Sequence, residues 1–97
     1  LRTKVDIPKV LNEIKSRPEV FSSLGLNAKI LVLNALAQKS ENEITNSYRK
    51  FIEWLGRTNR ELLVIMLLLM DRGKRVNLMI VFSNTISDII KEIAQYI

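Results

Sequence analysis

The sequence predicts an all-α protein, a compact bundle of four to five helices around a central apolar helix at 62–70. Three observations carry that expectation. Leu62 to Met70 is an unbroken run of nine apolar residues rich in leucine and methionine, which favour helix over strand. Elsewhere apolar residues recur at i, i+3, i+4 and i+7, the signature of one buried helical face. The three glycines and two prolines fall at the edges of these periodic segments, as start and stop signals. With 97 residues, 47% of them apolar, the chain is a single domain, 1–97, with enough core to fold. Size scaling gives it a folded surface of roughly 5,700 Å².

The first helix is expected from Ile7 to Ser16, where Ile7, Val10, Leu11 and Ile14 form the stripe and Asp6 and Pro8 mark the start. Pro18 stops it. A short helical turn, Pro18 to Leu24, follows and ends at Gly25. Asn27 is read as the N-cap of a helix from Ala28 to Lys39. Ile30, Leu31, Val32, Leu33, Leu36 and Ala37 cover more than half of its circumference and set it deep in the domain. Ser40 and Glu43 have capping-box spacing and open a helix at 44–55, striped by Ile44, Tyr48, Phe51, Ile52 and Leu55 and closed by Gly56. Thr58 and Glu61 repeat the box and open the central helix, 59–71. A helix apolar on every face is expected to be buried on every face.

The last third allows two readings. Val76 to Phe82 is rich in Val, Ile and Phe and could form a strand. The preferred reading is one helix from Lys74 to Tyr96, because Met79, Phe82, Ile86, Ile89, Ile90, Ile93 and Ile97 keep helical spacing across 83–85. In it Gly73 ends the central helix.

Composition excludes whole classes of chemistry. There is no cysteine and no histidine, hence no disulfide, no Cys/His zinc site and no imidazole base. Ser22 and Ser23 have no activating partner, and Gly25, Gly56 and Gly73 stand apart rather than in a phosphate loop. The acids Glu41 and Glu43 lie in a sparse polar break, and Asp88 and Glu92 are best read as solvated. No catalytic residue, metal ligand or cofactor is expected, and the chain reads as a non-enzyme. Nor is there a run of about 20 apolar residues to span a membrane. Asp71, Arg72, Lys74 and Arg75 interrupt the only candidate. No leader is legible, the absence of cysteine suits the cytoplasm, and an opening on Leu1 rather than Met reads as a fragment or as missing first residues.

What remains is charge. Fifteen basic against ten acidic residues give +5, concentrated in 1–39 and 49–75 at +4 each. A basic excess of this kind suits a polyanionic partner. On helix 44–55 the positions Ser47, Lys50, Trp54 and Arg57 align at i, i+3, i+7 and i+10, flanked by Arg49 and Arg60; Glu53 could pair with Arg49 or Arg57 and mute the patch. Trp54, the only tryptophan, is the candidate protein-interface anchor, with the edge of the core as its competing role. Arg72, Lys74 and Arg75 at a tight turn are a second candidate phosphate contact; ordinary charge complementation at a helix C-terminus is the alternative. Arg2, Lys4 and Lys9 add a basic arm.

These features describe a non-catalytic module, a small accessory subunit of a nucleic-acid-processing complex. It would dock on a protein partner or on a second copy through apolar surface and Trp54, and add phosphate affinity that does not read sequence. A winged-helix DNA-binding regulator is the first alternative. It would need a strand at 76–82 and a groove-reading helix, a role open only to 44–55 with Asn46, Arg49, Lys50 and Glu53 outward. A peripheral membrane-surface module is the second alternative.

Overall fold

The computed structural model of the chain describes residues 4–93 and 95. Among these, seven α-helices and one 3₁₀ turn account for nearly the whole path, and no strand occurs. Arg2 of the basic arm, and Tyr96 and Ile97 at the end of the last expected helix, lie outside the described residues.

Helix α1 (Ile7–Ile14) forms as its stripe predicts. Val10, Leu11 and Ile14 are buried, Ile7 packs beside them, and the Asp6 carboxylate accepts from Lys9 N at 3.2 Å to cap the first turn. The 3₁₀ turn Pro18–Ser23 buries Phe21. Helix α2 (Leu26–Ala37) begins two residues earlier than expected. Gly25, extended at φ −68° and ψ 164°, is the N-cap, and Asn27 falls inside the helix. Its buried arc is Val32, Leu33, Leu36 and Ala37. Leu31 points the opposite way and is 57% exposed, because a helix at the edge of so small a bundle has neighbours on one side only.

The expected helix 44–55 is two helices. Ser40 does cap the first, accepting from Glu43 N at 3.2 Å, and α3 runs Glu41–Ser47. Tyr48 then leaves helical geometry (φ −112°, ψ 13°), and α4 covers Arg49–Thr58. Both sides of the break keep their stripe inward: Ile44, Tyr48, Phe51, Ile52 and Leu55 are all buried. Gly56 does not close the helix. It lies within α4 where α7 crosses, and a Cβ there would stand 3.2 Å from Ile86 Cγ2 and 3.4 Å from Leu63 Cδ2.

Helix α5 (Arg60–Leu68) is the central apolar helix, capped by Asn59 rather than Thr58: Asn59 Oδ1 accepts from Leu62 N at 3.3 Å, while Thr58 Oγ1 donates back to Trp54 O. It packs against α2, α4 and α7. Leu62, Leu63, Val64, Met66, Leu67 and Met70 are buried, but Ile65, Leu68 and Leu69 are 37–40% exposed. The helix is therefore enclosed on about two-thirds of its girth, not on all of it. The wet flank is purely aliphatic and offers nothing to a nucleic-acid groove.

The last third is helical, as preferred, but broken. Asp71 ends the central segment and caps α6 (Arg72–Val81), accepting from Lys74 N at 2.8 Å. Gly73 thus opens a helix rather than ending one. Phe82 (φ −99°, ψ 16°) separates α6 from α7 (Ser83–Ile93), which bends again at Ile86 (φ −120°, ψ 26°). Phe82, Ile86 and Ile89 are buried where α7 meets α4 and α5. Of α6 itself only Leu78 is buried, leaving Val76, Ile80 and Val81 exposed. The total accessible surface is 6052 Å², close to the scaling value.

Gly56→Ala tests the α4–α7 crossing. Alanine is the better helix former by about 0.5–1 kcal/mol, but Ile86 is β-branched, buried and stiff, and overpacking costs about 1–3 kcal/mol. The expected net is a loss of about 1 kcal/mol in denaturant-induced unfolding. A gain would show that Ile86 yields.

Candidate nucleic-acid interface

The basic residues of α4 and two polar residues of α3 converge on the end of α1. Asn46 and Ser47 from α3, and Arg49, Lys50, Glu53 and Arg57 from α4, share one face by helical spacing, opposite the buried Phe51, Ile52 and Leu55. Lys15, just past the end of α1, closes the other side. Together they line an open depression of about 380 Å³. Four cations face one carboxylate there, and among the described residues Glu53 makes no ion pair with Arg49 or Arg57, so the net charge of the lining stays positive.

Three of the four cations are held in place by the fold. Lys50 Nζ donates to Ser16 O at 3.2 Å, tying α4 to the end of α1. The Arg49 guanidinium lies 5.0 Å above the Phe82 ring, and Lys15 Nζ lies 5.4 Å from the centre of the Tyr48 ring. Stacking occupies the face of a guanidinium and leaves its in-plane N–H donors available. Arg57, in the last turn of α4, is exposed.

Trp54 borders Lys50 and Arg57 on α4 but does not line the depression. It is half-buried, stacked on Phe51 at 5.8 Å between centroids and edge-on to Phe21 at 6.2 Å, with Phe21 and Phe51 themselves 5.2 Å apart. The indole closes the edge of the core, and the aligned stripe of the sequence separates into a wet basic face and a dry aromatic one.

The cations of 72–75 do not act as one cluster. Lys74 Nζ donates to Ala37 O and Lys39 O, both at 2.8 Å, and so satisfies the carbonyls left open at the C-terminal end of α2. Arg75 is half-buried with its Nε enclosed and unpartnered. Arg72 is exposed. All three lie in the first turn of α6, where the dipole of their own helix opposes positive charge and the Asp71 cap offsets the cost; only Lys74 complements a helix C-terminus, that of α2. Arg60 opens α5, outside the lining of the depression. Lys15 was not a candidate in the sequence. Its only local signal is a cation just past a helix end, and the contact that matters is with helices more than thirty residues away.

Beyond Lys15 lies Tyr48, buried at the α3–α4 break. Burial, and secondarily the Glu43 carboxylate, push its phenol above the ordinary tyrosine value of 10.0. Among the described residues no group of three or more acidic side chains gathers as a metal site, and no helix is long and apolar enough to cross a membrane. No family model, curated protein or solved structure matches the chain.

Two outcomes follow from these contacts. Lys74→Met removes two charge-assisted hydrogen bonds and is expected to cost about 2 kcal/mol of stability while leaving the salt dependence of polyanion binding unchanged; an unaltered denaturation midpoint would contradict the capping role. Tyr48 titrates higher folded than unfolded, so its effect on stability is nil below the unfolded value. As pH rises above about 10 the unfolded chain loses its proton first, and stability falls through the folded value. Tyr48→Phe should flatten the decline in denaturation midpoint between about pH 9 and 11; parallel declines would contradict the assignment.

Proposed function

We propose that this chain is a non-catalytic binding module, a small accessory subunit of an assembly that handles nucleic acid in the cytoplasm. One observation carries the reading: Lys15, Arg49, Lys50 and Arg57 converge from two separate parts of the chain on one depression, with a single acid among them. Phosphates are the natural counterpart of ordered cations without a catalytic partner. The aromatic side chains at 21, 48, 51, 54 and 82 are all turned into the core or its edge, which favours contact with the phosphate backbone over stacking on bases.

The partner-docking half of the proposal shifts from Trp54 to aliphatic surface. Ile65 and Leu68 on α5 and Leu69 at its C-cap, with Val76, Ile80 and Val81 on α6, are large side chains left open by the fold. They suit a protein partner or a second copy. The winged-helix alternative loses its wing, since 76–81 belongs to a helix.

The test is binding of a single-stranded oligonucleotide across a salt titration. Four phosphate contacts give a slope of log K on log salt near −3. Arg57→Gln combined with Lys50→Gln should cut its magnitude by roughly half, whereas Trp54→Phe should leave the slope unchanged. Absence of binding at about 50 mM salt, or a slope indifferent to the double variant, refutes the reading.

A further inference from the structure

The basic depression shares a wall with a second one. Lys15 lines both. On its far side Pro8, Leu11 and Asn12 of α1 face Lys39, Glu43 and Tyr48 across a depression of about 320 Å³. The two differ in what they can hold. The first opposes four cations to Glu53. The second opposes Lys15 and Lys39 to Glu43, and Lys39 Nζ lies 3.4 Å from Glu43 Oε2, so half of its positive charge is already answered. Pro8 is exposed at its rim, while Leu11 and Tyr48 are buried beneath it as an apolar floor, a component that a phosphate cannot use.

Resting on the phosphate reading of the first depression, we propose that the second takes an unpaired nucleobase of a single-stranded polynucleotide, with Lys15 between base and backbone. A base is a flat, largely apolar body whose edges carry donors and acceptors, and the lining supplies both kinds of contact. Asn12 presents an amide, which both donates and accepts; the Glu43 carboxylate accepts only. An acceptor-only group bonds the exocyclic amino group of cytosine or adenine and is repelled by the carbonyl at the corresponding edge of thymine or uracil. Lys39 holds Glu43 in place through one oxygen and leaves the other for the ligand. A duplex keeps its bases paired and inward, so it can use the first depression alone.

The experiment compares four ligands of equal phosphate number by fluorescence anisotropy: oligo-dC, oligo-dT, an abasic oligodeoxyribose phosphate and a duplex. Oligo-dC is expected to bind about threefold to tenfold more tightly than oligo-dT, the range one net hydrogen bond supports, with the abasic strand no tighter than oligo-dT. Glu43→Gln supplies a donor as well as an acceptor and should bring the dC-to-dT ratio close to one, while Lys39, no longer paired, leaves the salt slope no shallower than before. Asn12→Ala, at an exposed position whose side chain makes no hydrogen bond in the fold, gives an independent variant that should lower oligo-dC affinity selectively even if Glu43→Gln fails to fold. Equal affinity for all four ligands, with the salt dependence intact, overturns the base site and leaves the phosphate groove standing. No binding of any of them overturns the groove itself.

Discussion

Helix α4 must bury one face and charge the other within ten residues, and the rest of the molecule is arranged around that demand. Its inward residues Phe51, Ile52 and Leu55 contact the 3₁₀ turn, α5 and α7. Its outward residues Arg49, Lys50 and Arg57 form the basic wall. The two faces are mechanically joined. Arg49 rests on Phe82, a core residue at the α6–α7 junction, and Lys50 is bonded to the chain just beyond α1. Cations that would otherwise sample many rotamers are thereby held by packing, which reduces the entropy a ligand must offset when it orders them. Gly56 serves the same demand from the inside, because a Cβ there would press on Leu63 and Ile86 where α7 crosses α4.

The helical character of the chain was legible in its sequence because periodicity is a local property. The stripe of α1, the Ser40 cap and the helical spacing from Met79 to Ile89 all appear where the pattern puts them. The breaks were not legible. Tyr48, Phe82 and Ile86 interrupt helices at large apolar residues that carry no stop signal, and each is buried. A break at such a residue is set by tertiary packing: bending the helix there keeps the stripes on both sides facing one core, and burying the side chain outweighs the lost local hydrogen bonding. Glycine misled in the opposite direction. Gly56 and Gly73 read as stops, but one is a close crossing and the other follows an aspartate cap.

The site divides along the same line. Arg49, Lys50 and Arg57 share a helical face and were visible as such. Lys15 was not, because its place depends on α1 lying beside α4. The cations of 72–75 looked like one feature because they are contiguous, and contiguity is a poor guide in a helix, where neighbours in sequence point about a hundred degrees apart. Lys74 is turned toward α2 and Arg72 toward solvent.

Surplus apolar residues raise a different question, since a core this small cannot absorb all of them. The aromatic ones are absorbed first. Phe21, Phe51 and Trp54 contact one another, and Tyr48 and Phe82 lie under Lys15 and Arg49. An aromatic ring removes more area from water per side chain than an aliphatic one and gains a further edge or face interaction when it meets another ring or a cation. The residues displaced to the surface are therefore branched aliphatics, on α6 above all, where Leu78 alone is buried. Such side chains carry no hydrogen-bonding group and no charge, so a surface made of them recognises shape and dryness rather than chemistry. A polyanion has nothing to bind there, and a protein partner has little to bind in the basic depression. The contrast between the two surfaces thus follows from which apolar residues the core takes first.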